Sequence, residues 1–229
     1  MTSSREAHLV ELVDETGRPT GATTVDEAHQ APGRLHRAFS VLLVAPDGRM
    51  LLQQRAAGKT RFPLRWGNSC CGHPPPGGSL TDAANLRVRE ELGAGPVPLT
   101  EVGVYVYRAE DPVTGRVEHE YDHVLFGRFT PGDPLRPDPT EIADLRWVDP
   151  AGLLAEIDAE PQRYAPWLGG VTERLLRHRA GDPAGPAARL DAGEPAGPAT
   201  RLGSHEPAAA GSVGTGASLE EAPERSVGR

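Results

Sequence analysis

Past Ala180 the sequence loses the residues from which a core is made. From there to Arg229 there is no aromatic residue, β-branched residues are sparse, and more than half of the positions are Ala, Gly or Pro. Such a stretch cannot bury enough apolar surface to offset the entropy of ordering it. The folded unit is therefore expected over residues 1–179, with residues 180–229 as a disordered tail. The tail repeats itself at short period, from Asp182 to Leu190 and again from Glu194 to Leu202. A Pro- and Gly-rich echo of that kind suggests a linker and carries no functional assignment.

The same reading narrows the partners. The chain carries a formal net charge of −8 with no long basic run, which argues against nucleic acid and anionic membrane. A small phosphorylated ligand stays open, since it needs only a few local cations. No segment approaches the roughly 18 apolar residues of a membrane span, and the first residues form no leader-like apolar run. A cytoplasmic protein is expected, a monomer, with a homodimer as the alternative. Its two cysteines, Cys70 and Cys71, are adjacent and hence poorly placed to bond to each other.

Within residues 1–179 the periodicities alternate. Ala38–Val44 and Met50–Gln54 are apolar strand-like runs about Pro46-Asp-Gly48, which reads as a hairpin. The segment from Arg55 to Pro76 is too long for a mere connection and is expected to be functional. Leu80, Ala84, Val88 and Leu92 recur every fourth residue between capping residues at Ser79 and Gly93, which predicts a helix of about three turns. Strands are expected at Glu101–Tyr107, Val117–Phe129 and Leu145–Val148, and helices at Pro150–Asp158 and Gln162–His178. This order predicts an α/β (α+β) fold with a mixed sheet between helices, not repeated βαβ units.

Chemistry concentrates at a few places. Trp66–His73 packs two Cys and a His into a Gly-rich stretch, without the second Cys pair of a structural zinc site. His29, His36 and His73 supply three imidazoles; any one alone is more often a satisfied side chain than a ligand. In Val117-Glu-His-Glu-Tyr121 the strand period places Glu118 and Glu120 on one face, where they repel unless a cation or a proton relieves them. Three imidazoles and two carboxylates would suit Mg²⁺, Mn²⁺ or Zn²⁺, with nitrogen ligands favouring the transition metals. Arg87 and Glu91 stand one turn apart on the expected helix, either as a surface ion pair or as a phosphate and metal station. Arg55, Lys59 and Arg61 precede them and could complete a cationic clamp for a diphosphate.

These residues resemble a known family. Gly72–Gly93 is similar to the Nudix box, matching at Gly72, Glu90, Glu91 and Gly93, but with Gly78 in place of the first Glu and Leu86-Arg87 in place of Arg-Glu. Those departures count against a Nudix hydrolase, the main rival, and a non-catalytic diphosphate-binding module is a second. His29, Leu35-His-Arg-Ala-Phe39, Asn68-Ser-Cys-Cys-Gly-His-Pro74, Arg89-Glu-Glu-Leu-Gly93, Glu118-His-Glu120 and Ala165-Pro-Trp167 together look like the type 1 isopentenyl-diphosphate isomerases. The resemblance runs from about residue 6 to residue 178.

What it implies is specific. The fold would be Nudix-like. His29, His36, His73, Glu118 and Glu120 would bind a first metal, Mn²⁺, Zn²⁺ or Mg²⁺. Glu91 would hold Mg²⁺ bridging to an isoprenyl diphosphate substrate gripped by Arg55, Lys59 and Arg87. Cys71 and Glu120 would be the two acid/base groups, with Glu120 as the expected donor and Tyr107 assisting it. The face of Trp167 would stabilise a carbocation in a dry pocket.

Overall fold

A computed structural model describes residues 3–181 and 188–191 of the chain. Its ten strands are β1 Leu9–Val13, β2 Pro19–Thr24, β3 His36–Val44, β4 Met50–Arg55, β5 Trp66–Gly67, β6 Cys70–Gly72, β7 Leu99–Glu110, β8 Val117–Arg128, β9 Ile142–Val148 and β10 Ala188–Asp191. The helices are α1 Ser3–Glu6, α2 Val25–Ala28, α3 Leu80–Leu92, α4 Pro150–Ala159 and α5 Leu168–Ala180. The strands form one mixed sheet along the path β10-β7-β8-β3-β1-β2, with β4 and β6 also on β3, and β5 and β9 on β4.

β3 is the axis of the molecule. Every residue from Ala38 to Val44 is buried, because one face of the strand packs under α3 and the other under α5. Leu42 and Val44 join the α5-side core with Val124, Val171 and Leu175; Phe39, Val41 and Leu43 join the α3-side core with Val88, Leu92 and Leu125. A strand covered on both faces reads as a continuous apolar run. Fully burying each leucine contributes on the order of 1.5–3 kcal/mol.

The expected hairpin is present, closed by Ala45 N donating to Arg49 O at 2.8 Å, but the same fact keeps it short. β3 and β4 pair only at Val44 and Met50, since β3 gives its length to β8 in parallel and to β6 in antiparallel. Two further differences have local causes. The expected helix from Gln162 begins instead at Leu168, after a 3₁₀ turn at Pro161–Arg163 and extended backbone at Tyr164. Pro166 disfavours helical backbone at the residue before it. β1 and β2 were not expected; they pair antiparallel across a turn at Asp14–Arg18 and carry no strong alternation.

α3 forms as its ends predict. Ser79 Oγ accepts from Asp82 N at 3.3 Å, and Gly93 closes the helix at φ 64°, where a side chain would be strained. Within the stretch expected as a tail, β10 pairs in parallel with β7. Residues 182–187 and 192–229, which hold the rest of that stretch and most of its internal repeat, lie outside the described residues.

Candidate active site

Register assembles the site. In the parallel β3–β8 pair His36 lies beside Glu120, and in the antiparallel β7–β8 pair Tyr107 lies beside Glu120. His29 is the C-cap residue of α2 and its carbonyl accepts from Val117 N at 2.9 Å, which fastens it to the start of β8. His73 follows β6. His29, His36, His73, Glu118 and Glu120 thereby offer donor atoms that all lie within 4.8 Å of one another.

The imidazoles are aimed from behind. His29 Nδ1 donates to Val25 O at 2.6 Å and His36 Nδ1 donates to Arg34 O at 2.7 Å. A carbonyl can only accept, so each Nδ1 carries a hydrogen and each Nε2 is directed at the centre. There His29 Nε2 meets Glu118 Oε2 at 2.8 Å and His73 Nε2 meets Glu120 Oε1 at 2.9 Å. His36 Nε2 is buried without a hydrogen-bond partner, 3.6 Å from Glu120 Oε1. An orphaned nitrogen among four further donors fits a divalent cation with mixed N/O ligands.

The electrostatics agree. Burial pushes the His73 imidazole down to about 4, so it joins the cluster neutral. Burial and the Glu118 charge push the Glu120 carboxyl up, but His36 and His73 more than offset them and hold it at about 2. Burial likewise opposes ionisation of Glu118, and His29 and Arg61 hold it well below the usual carboxylate range. Neutral imidazoles and ionised carboxylates are the forms that ligate metal.

Next to the cluster, on the α5 side of the sheet, lie the other candidates. Tyr107 Oη donates to Glu120 Oε2 at 2.7 Å, and burial with the neighbouring carboxylates keeps it a phenol. Trp167 sits beside Tyr107, with ring centres 5.8 Å apart, and its ring already faces the Arg55 guanidinium at 5.5 Å. Cys71 pairs with Ser40 on β3 and packs on this side, whereas Cys70 is fully buried in the α3-side core. Successive residues of a strand point to opposite faces, so of the two thiols only Cys71 is presented to the site. Burial pushes that thiol up to about 12.

The cationic residues divide, Arg55 lying over the Trp167 ring while Lys59 and Arg87 meet at Glu141. Arg55 is pinned by Nε and Nη2 to Arg61 O, with Nε also on Phe62 O. Arg87 pairs with Glu91 and, at 2.8 Å, with Glu90; Lys59 pairs with Glu141. Glu91 is only 3% exposed and also accepts from Gln53 Nε2 at 3.1 Å, so it belongs to an interior network, not a solvated helix face.

Several members were not picked out by motif. Glu141 lies 3.1 Å from Arg5 and 3.7 Å from Arg87 as well as on Lys59, and nothing in its loop announces it. Arg61, expected in the diphosphate clamp, instead donates to Glu118 Oε1 at 3.0 Å and to Glu6 at 3.1 Å. Asp122 is wholly buried on the Glu120 face, accepting from Ser40 Oγ at 2.7 Å. Its spacing of two from Glu120 was the available signal.

Residues 34–168 match the NUDIX domain family. A crystal structure of DR0079 from Deinococcus radiodurans aligns at a TM-score of 0.60 and 22% identity, covering 74% of this chain and all of that one. The MutT protein of Methanosarcina mazei aligns at 0.50 and 17%, over 63% of this chain and 95% of that one. Fold and family model together define a NUDIX domain. Closer relatives carry one name. Isopentenyl-diphosphate Delta-isomerase of Nocardia farcinica is 61% identical over 166 residues, 72% of this chain and 92% of that protein. The proteins of that name from Streptomyces coelicolor and Halorhodospira halophila are 45% and 44% identical, over 79% and 70% of this chain and 91% and 90% of theirs. The chain belongs to the isopentenyl-diphosphate Delta-isomerase family of NUDIX proteins.

Proposed function

We propose that this pocket interconverts isopentenyl diphosphate and dimethylallyl diphosphate by adding a proton at one end of an allylic system and removing one from the other, a step of isoprenoid biosynthesis. The observation that carries the reading is the convergence of His29, His36, His73, Glu118 and Glu120 beside Tyr107, Trp167 and Cys71. Arg87 pairs with Glu91, and Lys59 joins it through Glu141, which supports a diphosphate-binding end there.

The chemistry accounts for each part. An unactivated alkene is a weak base, so protonating its terminal carbon creates a tertiary cation that water would capture. Glu120 with Tyr107 forms one acid/base wall and Cys71 the other. One gives the proton to the terminal carbon, and the other takes a proton from C2. The hydrogen bond from Tyr107 fixes the Glu120 carboxyl in place. The indole of Trp167, buried among aromatic and aliphatic neighbours, excludes water and presents a π face worth about 1–2 kcal/mol to a desolvated cation. Arg55, Lys59 and Arg87 grip the diphosphate oxygens and so anchor the reacting carbons.

His29, His36, His73, Glu118 and Glu120 would hold Mn²⁺, Zn²⁺ or Mg²⁺, and Glu91 would hold Mg²⁺ at the diphosphate. Bound cations there would neutralise the clustered carboxylates and the diphosphate charge. We further propose a cytoplasmic monomer acting on a freely diffusing diphosphate, without nucleic-acid or membrane partner, on the sequence's net charge of −8 and lack of a basic run. Among the described residues no helix is long and apolar enough to cross a membrane. The test is incubation with isopentenyl diphosphate and Mg²⁺ in D₂O, followed by NMR. Deuterium-bearing dimethylallyl diphosphate is the expected product. Release of inorganic phosphate from nucleotides without allylic product would refute the reading in favour of a hydrolase.

A further inference from the structure

Asn68 lies in the short link between β5 and β6 and is 2% exposed. A primary amide buried that deeply must spend its donors and its acceptor on the protein. Its Nδ2 donates to Cys70 O at 2.7 Å and to Val41 O at 3.2 Å. Its Oδ1 accepts from Trp167 Nε1 at 2.9 Å. The indole N–H can only donate and the two carbonyls can only accept, so this is the one orientation of the amide that satisfies every partner.

The Trp167 ring needs such a hold. The residue is the N-cap of α5 and makes no side-chain capping bond of its own. Its other ring neighbours are Phe62 at 5.6 Å, Tyr107 at 5.8 Å and the Arg55 guanidinium at 5.5 Å, which are contacts that tolerate tilting. A hydrogen bond at the ring edge fixes the azimuth of the face. The anchoring end of the same amide is the carbonyl of Cys70, bonded in turn to the backbone of Cys71.

We infer that Asn68 is a positioning residue which sets the Trp167 indole at a fixed angle to the strand bearing Cys71, using its side-chain amide as a strut between them. The inference rests on the isomerase reading of the pocket, and it assigns Asn68 no contact with the substrate. Displacing a reacting group by about 1 Å can cost on the order of 10²-fold in rate. Lys59 and Arg87, paired with Glu141 and Glu91, would keep their grip on the diphosphate.

The experiment compares the metal-loaded full chain with Asn68→Ala, Asn68→Asp, Trp167→Phe and the Asn68→Ala/Trp167→Phe double variant. Turnover of the unaltered chain is measured first, so that failure of the isomerase reading is seen separately. The indole N–H vibration is then followed by ultraviolet resonance Raman without substrate, the Trp167 component being identified by its loss in Trp167→Phe. Asn68→Ala is expected to shift that band to a weaker hydrogen bond and to lower kcat about 5–30-fold, no more than loss of the indole face itself, with KM within about threefold. The double variant is expected to be no more than about twofold slower than the slower single one, because the strut has nothing left to hold. Asn68→Asp keeps the acceptor for the indole but has no amide N–H for Cys70 O and Val41 O, so it is expected to retain the band and still lose turnover, within about threefold of Asn68→Ala. Where Asn68→Ala does not fold, Asn68→Asp against the unaltered chain decides: band kept with kcat lowered at least about fivefold supports the strut, whose Cys70 end is cut, and band kept with kcat unchanged overturns it. A folded Asn68→Ala with unchanged kcat, or penalties that multiply in the double variant, would also overturn it.

Discussion

Replacing Cys70 and Cys71 by alanine, one at a time, should separate stability from turnover between two adjacent residues. Cys70 is fully buried among Phe39, Val41, Ala84 and Val88. Deleting its sulfur removes a group about the size of a methylene, worth about 0.8 kcal/mol of transfer free energy. A residual void of about 20 Å³ would add about 0.5 kcal/mol at about 24 cal/mol per Å³. Together these give about 1.3 kcal/mol, and at about 2–4 °C per kcal/mol for a chain of this size the melting temperature of Cys70→Ala should fall by about 3–5 °C. Its turnover should stay within about twofold, since a loss of stability that leaves the chain folded leaves the opposite sheet face in place. Cys71 is only partly buried, at the edge of the α5-side core. Cys71→Ala should melt within about 2 °C of the unaltered chain and lose about 10²–10⁴-fold in kcat, the scale of a positioned acid/base group. Calorimetry and NMR of the allylic product measure the two quantities on the same samples. Near-full turnover by Cys71→Ala, or a Cys70→Ala chain that melts normally and is inactive, would show that the face assignment of the two thiols is wrong.

Four further outcomes follow from the geometry. Chelation with EDTA should silence the enzyme, and Mg²⁺, Mn²⁺ or Zn²⁺ should restore it; full turnover by a metal-stripped sample would exclude the role given to the His and Glu cluster. Glu91→Gln should raise the Mg²⁺ concentration for half-maximal rate by about tenfold or more, read from a titration, while an unchanged titration would remove Glu91 from the diphosphate end. Trp167→Leu should lower kcat by about 5–30-fold, the equivalent of about 1–2 kcal/mol at the cation, and a rise in KM alone would argue for mere packing. Gly170→Ala would place a Cβ 2.2 Å from the Tyr105 ring, which stacks on Tyr107 at 5.5 Å. Overpacking of that kind costs about 1–3 kcal/mol, so the melting temperature should drop and kcat with it; an unaltered melt would contradict the packing described.

The sequence carried the local parts of this site plainly. Strand alternation set Glu118 and Glu120 on one face, and both are buried in the cluster. The fourfold spacing and caps of α3 delimited that helix, although the burial of Glu91 was hidden behind a pairing with Arg87 that suits any surface. What was not legible is long-range. Nothing near His36 says that β3 runs parallel to β8, yet that register puts His36 beside Glu120. The hairpin expected from Pro46-Asp-Gly48 forms, but nothing in it says that its ladder stops after Val44 and Met50 because the length of the central strand β3 goes to other partners. Cys70 and Cys71 look equivalent in a string of letters; only the pairing with Ser40 assigns each a side. Glu141 could not be found at all, because one carboxylate beside Asp133 and Asp138 in a Pro-rich loop has no pattern to betray that it reaches Lys59.

The cluster also bears on how faithfully the sheet is put together. His29 and Glu118 meet across 89 residues of sequence, and His73 and Glu120 across 47. If β8 slid by a single residue against β3, His119 would turn inward and both carboxylates would turn toward the α3 side. The apolar residues beyond them would tolerate such a slip poorly, and the donor set would not tolerate it at all. A cation gripped by all five side chains would thus work as a proofreader of strand alignment, rewarding the one sheet in which distant stretches of chain have come together in phase.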